Sequence, residues 1–147
     1  MSENANKFEN EGGWLAKTSY ALFDVGNSAV GAMHATFIFA VYFASVVAPE
    51  NGTSYWGYTT GLAALVVAIL GPILGGFADT RAQRKFFLGI VVFIGVIANI
   101  LLWTVEPNIS FIWFALIFSF FSILANELMF VFYNALLPSV ASKKNMG

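Results

Sequence analysis

The 147-residue sequence contains no cysteine, a single histidine, four prolines and few charges. Without cysteine the chain can form no disulfide, no thiolate metal site and no cysteine nucleophile. With His34 as the sole imidazole, a Ser/His/Asp hydrolase, a multi-histidine metal centre and an HExxH protease are nearly or wholly excluded within this chain. No metal and no cofactor are expected. Only 10% of the residues are charged, against about 25% in an ordinary soluble domain. Seven Lys/Arg against eight Asp/Glu leave a net charge of −1, so no broad basic surface exists to attract nucleic acid. The enzyme class left open is an intramembrane protease; Asp79 falls in a loop and no second carboxylate is placed to form a dyad, so no enzyme is expected.

Hydrophobic residues make up 59% of the chain, and they are distributed in long blocks. Uncharged stretches run from Val25 to Pro49, Asn51 to Ala78, Phe86 to Val105 and Pro107 to Asn126. Each reaches the roughly 20 residues a helix needs to cross about 30 Å of hydrocarbon. The fold expected is all-α, an integral membrane protein in the lipid bilayer with a tail over 1–18 and a four-helix region over 19–138. Its spans lie at about 20–48, 55–77, 86–105 and 109–137, with a second tail over 139–147. The first block is far longer than a secretory signal core and follows an acidic tail with Glu3, Glu9 and Glu11, so it reads as a permanent span.

All seven basic residues fall on one side of such a bundle. Lys7 and Lys17 lie in the first tail, Arg81, Arg84 and Lys85 between spans two and three, and Lys143 and Lys144 in the last tail. The loops around Glu50–Thr53 and Glu106–Asn108 have none. The positive-inside rule then places both termini in the cytoplasm. Trp14, Tyr55, Trp56, Tyr58, Trp103 and Trp113 sit near span ends, where amphipathic rings prefer the headgroup level. The absence of a signal and the short loops suit a bacterial inner membrane.

Small and polar residues mark the contacts. Gly57 and Gly61, then Gly71 and Gly75, are four apart on span two, a spacing that lets helix backbones approach closely. Pro72 removes a backbone donor there and predicts a bend. Asp24, Asn27, Ser28 and His34, with Gly31 and Ala35, fall within an arc of roughly 120° on span one. Ser119, Ser122, Asn126, Glu127, Tyr133 and Asn134 fall within roughly 140° on span four. A carboxylate facing lipid costs at least ~2.5–3.5 kcal/mol, so spans one and four are expected to line a cavity, and span three, with only Asn99 and Thr104, to face lipid. Asp24, Asn27, His34, Asn126, Glu127 and Asn134 are the candidate residues for substrate and coupling contacts; for His34, a neutral imidazole satisfied by one neighbour is the simpler reading.

The segment Gly75-Gly76-Phe77-Ala78-Asp79-Thr80-Arg81-Ala82-Gln83-Arg84-Lys85 resembles the loop between helices two and three of the major facilitator superfamily. Gly75 and Asp79 have the spacing of that loop and Arg84 and Lys85 its terminal basic positions, while Thr80, Ala82 and Gln83 depart from it. Phe23-Asp24-Val25-Gly26-Asn27-Ser28-Ala29 and Phe132-Tyr133-Asn134-Ala135-Leu136-Leu137-Pro138 are similar to the segments that open helix one and close helix four in the branch of vacuolar amino-acid effluxers, with Val25 and Gly26 as departures. The resemblance covers nearly all of the chain after residue 19. It implies a transporter of about twelve helices built from inverted three-helix repeats, working by alternating access on a small solute with or without a coupling proton. It also implies that Gly75, Asp79, Arg81, Arg84 and Lys85 form a gating loop, and that further helices complete the molecule.

Two alternatives carry no such implication. One is a self-contained four-helix exporter formed from two copies of the chain, against which the one-sided charge argues. The other is a membrane assembly or scaffold factor that uses the glycine face of span two.

Overall fold

The computed structural model describes residues 14–80 and 83–140, and among them the chain is helical with short connections. Four stretches are long and apolar enough to cross a membrane: Thr18–Val47, Gly52–Ala78, Arg84–Leu102 and Ile109–Leu136. The elements are α1 (Trp14–Ala32), α2 (Phe39–Tyr42), α3 (Gly52–Thr80), α4 (Arg84–Leu102) and α5 (Ile112–Val140). A helical geometry is imposed by the solvent: hydrocarbon offers no partner for backbone N–H and C=O groups, so a spanning segment must bond to itself. The helix over Gly52–Thr80 continues through Pro72.

The first span is not the single α-helix expected from its length. α1 gives way to a π turn over Met33–Phe37, α2 follows, and a second π turn over Phe43–Val47 ends the span. The Ile38 amide bonds to the Met33 carbonyl at 2.9 Å and the Ala48 amide to the Phe43 carbonyl at 2.9 Å, each five residues back. A π turn inserts a residue without releasing the backbone from hydrogen bonding, and it rotates every later side chain by about 100° relative to an α-helix. The polar face of α1 therefore stops at His34, and beyond it Phe39 and Phe43 turn toward Trp56, with ring centroids 6.0 and 5.7 Å away.

α5 is the central element. It packs along α4 and α3 and meets α1 through side chains. On α4 the residues turned inward are Val91, Gly95, Ala98 and Leu102, spaced four, three and four apart as a helix seam requires. Phe93, Ile94 and Ile97 face outward. The third span thus presents one side to the surroundings and the other to the bundle, where lipid alone was expected. Two apolar clusters close the ends: Phe43, Val47, Leu102, Val105, Ala115 and Leu116 at one, and Ala78, Val91, Ala125, Leu128, Met129 and Phe132 at the other. The Tyr42 hydroxyl donates to the Val105 carbonyl at 3.0 Å and ties the first span to the loop after α4.

Glycine matters here where backbones approach. A Cβ on Gly52 would lie 2.6 Å from Ala44 Cα, and one on Gly95 3.0 Å from Met129 Cε and 3.3 Å from Ala125 Cβ. Gly71 and Gly75 face Val131 of α5, whereas Gly57 and Gly61 have nothing within 4 Å, so only half of the glycine pattern on the second span serves packing among the described residues. Gly52→Ala should destabilise the folded chain by roughly 1–3 kcal/mol because backbone has to move. Gly95→Ala should cost less, since the Met129 side chain can yield, and Gly57→Ala should be neutral or stabilising. Unfolding by SDS titration in bicelles ranks the three, and an equal effect at positions 52 and 57 would refute the close approach.

Candidate functional site

The polar residues of α1 and α5 meet in register. Tyr20, Asn27 and His34 are seven apart, and so are Ser119, Asn126 and Tyr133. Two antiparallel helices matched on a seven-residue repeat keep the same faces together over several turns, and the pairs found are Tyr20 with Tyr133, Asn27 with Asn126 and His34 with Ser119.

At the first rung the two tyrosine rings stack with centroids 3.9 Å apart and planes 14° from parallel. The Tyr133 hydroxyl donates to the Tyr20 carbonyl at 2.8 Å, and the Tyr20 hydroxyl reaches the Tyr133 carbonyl at 3.5 Å. At the second, Asn126 Nδ2 donates to Asn27 Oδ1 at 3.1 Å and lies 3.4 Å from the Asn27 carbonyl. At the third, His34 Nε2 is 3.3 Å from Ser119 Oγ and Nδ1 is 3.3 Å from Ser122 Oγ. Asn99 of α4 joins this rung by donating from Nδ2 to Ser122 Oγ at 3.0 Å and to the Gly95 carbonyl at 2.8 Å. A neutral imidazole has one N–H to give and one nitrogen to receive, and the two serine hydroxyls can serve either role. His34 is buried and is held by two serines where one neighbour was expected.

A cavity of about 850 Å³ lies between α1, α4 and α5. Asn27, His34, Asn99, Ser122, Asn126 and Glu127 supply its polar lining, and Leu22, Val30, Val92, Val96, Ile100 and Trp103 part of its apolar lining. A second cavity of about 480 Å³ continues along α1 and α4 and shares Val30, His34, Asn99 and Trp103 with the first. The buried hydrogen-bonded rung therefore stands where the two adjoin.

Four of the six expected site residues, Asn27, His34, Asn126 and Glu127, line the larger cavity. Asp24 and Asn134 do not; both are exposed, as is Glu127. At 100° per residue, Glu127 and Asn134 fall on a face of α5 between the one turned to α1 and the one turned to α3. Asn99, which sequence reasoning assigned to a lipid-facing span, belongs to the site. Its signal was present in retrospect as an amide at the level of Ser122 across a glycine-bearing seam.

At the α3–α4 connection, Arg81 and the side chain of Asp79 lie outside the described residues. Lys85 is exposed, and Arg84 donates from its guanidinium to the Ala135 carbonyl near the end of α5. Among the described residues no group of three or more His, Cys, Asp or Glu is placed to hold a metal.

The described residues thus form a bundle of four helices long and apolar enough to span a membrane, with a polar seam beside a cavity, and comparison with known proteins gives the family. Residues 38–146 match the family described as vacuole effluxer Atg22 like, and the chain belongs to it. The chain is 33% identical over 137 residues to a protein of Bacillus subtilis (strain 168) named "Uncharacterized MFS-type transporter YxiO", covering 89% of this chain and 31% of that relative. The chain thus spans under a third of the length of that curated relative. No solved structure matches it. Family and relative are transporters of the major facilitator type, not enzymes.

Loss of the His34 ring would leave Ser119 and Ser122, both buried, without their cross-helix partner. His34→Leu should lower stability by ~1–2 kcal/mol, the upper part of the range for polar contacts in membrane bundles, while His34→Gln, with one donor and one acceptor group, should recover part of it. The same SDS titration reads both, and a fully stable His34→Leu would refute the bridging role.

Proposed function

We propose that this chain forms the first four membrane helices of a secondary active transporter that moves a small solute by alternating access, with α1 and α5 lining the path. The observation that carries the reading is the meeting of the polar faces of α1 and α5 across Asn27 and Asn126 on one cavity, in a chain that belongs to a transporter family. Amino acids or related metabolites are the solutes this reading favours, on family grounds. A coupling proton would be carried by Glu127, the carboxylate that lines the cavity, or by Asp24. The remaining helices of a longer protein, or another copy of the chain, would complete the path.

Both termini face the cytoplasm in this reading, on the strength of seven basic residues on one side and none on the other. The membrane is a bacterial inner membrane, which the bacterial relative supports. The gate is the segment from Gly75 to Lys85, with Gly75, Asp79, Arg81, Arg84 and Lys85 as its working residues. Arg84 supports this role through its bond to the far end of α5, because a movement of the loop is then a movement of the cavity wall. The Asp79 carboxylate would hold helix ends together by accepting charge-assisted hydrogen bonds.

Two measurements test the reading. The chain has no cysteine of its own, so Glu50→Cys should react with an impermeant maleimide from outside intact cells and Lys85→Cys only after lysis; the reverse pattern would overturn the orientation. In the complete protein, Asp79→Asn should lower the transport rate on the order of tenfold, equivalent to ~1.4 kcal/mol, with little loss of membrane abundance. Equal losses of rate and abundance would assign Asp79 to folding alone.

A further inference from the structure

Most of the hydrogen-bonding capacity of the cavity lining is already used. Both ring nitrogens of His34 are engaged by serines, and Asn99 Nδ2 by the Gly95 carbonyl and Ser122. Asn126 Nδ2 is engaged by Asn27. Among the described residues, what remains on the asparagines is the Asn27 NH₂, with two N–H donors, and the carbonyl oxygens of Asn126 and Asn99, with two lone pairs each. The Glu127 carboxylate adds further acceptor capacity, and among the described residues no lysine or arginine lines the cavity. Acceptors outnumber donors, and the sole formal charge on the lining is negative.

Gly31 sets how closely α1 and α5 approach at this depth. A Cβ there would sit 3.1 Å from Asn126 Oδ1 and 3.2 Å from its Nδ2, so the amide packs on the bare backbone, and a side chain at 31 would displace it. Beyond it Val92 and Val96 make an apolar wall.

We propose that this cavity binds a small solute whose head is rich in N–H donors, a primary amide or an ammonium, received by the Asn126 carbonyl oxygen with an apolar body along Val92 and Val96, and that it rejects carboxylate heads. Desolvating an anion beside Glu127 with no cation to receive it carries a penalty that a neutral or cationic head avoids. The proposal rests on the transporter reading, narrows its solutes from amino acids, which carry a carboxylate, to related amides and amines, and names a property of the cavity that binding alone can test.

The test uses the full 147-residue chain in lipid nanodiscs with its asparagine side-chain amides ¹⁵N-labelled. Three probes share one branched five-carbon skeleton: isovaleramide, isoamylamine and isovalerate. The amide or the amine should shift the Asn126 resonance, with isovalerate at least about tenfold weaker. A stronger response to the amide identifies a neutral head. A stronger response to the amine identifies a cation held by Glu127, and Glu127→Gln should then remove its advantage. Gly31→Ala should weaken the preferred probe about tenfold. An equal or stronger response to isovalerate, or no response to either N–H probe, overturns the proposal. The order of the probes on the unaltered chain decides the matter even where the Gly31 variant fails to fold. If the probes fail while the complete protein still moves solute in vesicles, the binding chemistry is wrong and the transporter reading stands; if the probes bind and nothing is moved, the reverse holds.

Discussion

In hydrocarbon a polar side chain finds no water, and the whole arrangement follows from how α1 and α5 meet that condition. Their polar groups are matched across one seam at intervals of seven residues: two tyrosines, two asparagines, then a histidine with two serines. Such contacts contribute about 0.6 kcal/mol each on average in membrane bundles, so their sum is modest. Their effect on geometry is larger, because a slip of one residue would turn each partner about 100° away and leave several buried dipoles unmatched at once. Register, more than raw stability, is what the polar seam contributes.

Because α5 spends one face on that seam, its other faces are assigned in turn. Ala125, Met129 and Phe132 go to the apolar cluster that includes Val91 of α4, with Gly95 of α4 set against Ala125 and Met129. Val131 goes to Gly71 and Gly75 of α3. Phe87 of α4 stacks on Phe132 at 5.7 Å, and Arg84 reaches the Ala135 carbonyl from the start of the same helix. Small residues on α3 and α4 let those helices lie close, whereas asparagine and histidine hold α1 at side-chain distance. The larger cavity is the direct result: it opens where a helix is held by long polar side chains instead of being packed against glycine and alanine.

Much of this was legible in the sequence, and the parts that were not have physical reasons. Four spans follow from uncharged length alone, since the thickness of the bilayer sets a requirement that no local detail can evade. The polar faces of spans one and four follow from helical periodicity. Asn99 was assigned to lipid because a single amide on an apolar helix has no periodicity to reveal it; its place depends on Gly95, whose lack of a side chain brings α4 close enough for Asn99 to reach Ser122. The π turns were equally hidden. Nothing in Met33–Phe37 distinguishes by composition a hydrogen bond five residues back from one four residues back, and the choice is settled by tertiary contacts, with His34 drawn toward α5 and Phe39 toward Trp56.

That π turn also explains why the seam ends where it does. Were α1 to continue as an α-helix, the residue seven beyond His34 would be Val41, and the repeat would run on into an apolar side chain facing α5. The wider turn shifts the face by about one residue, so that Phe43 is buried in the apolar cluster with Ala115 and Leu116, and Tyr42 is carried to the Val105 carbonyl. The π turn thus decides which side chains of the first span pack at that end, Phe43 in the cluster and Tyr42 on the loop after α4. The larger cavity is accordingly lined by polar groups at the depth of Asn27, His34 and Asn126, while Phe43, Val47, Ala115 and Leu116 pack that end of the α1–α5 seam with hydrocarbon.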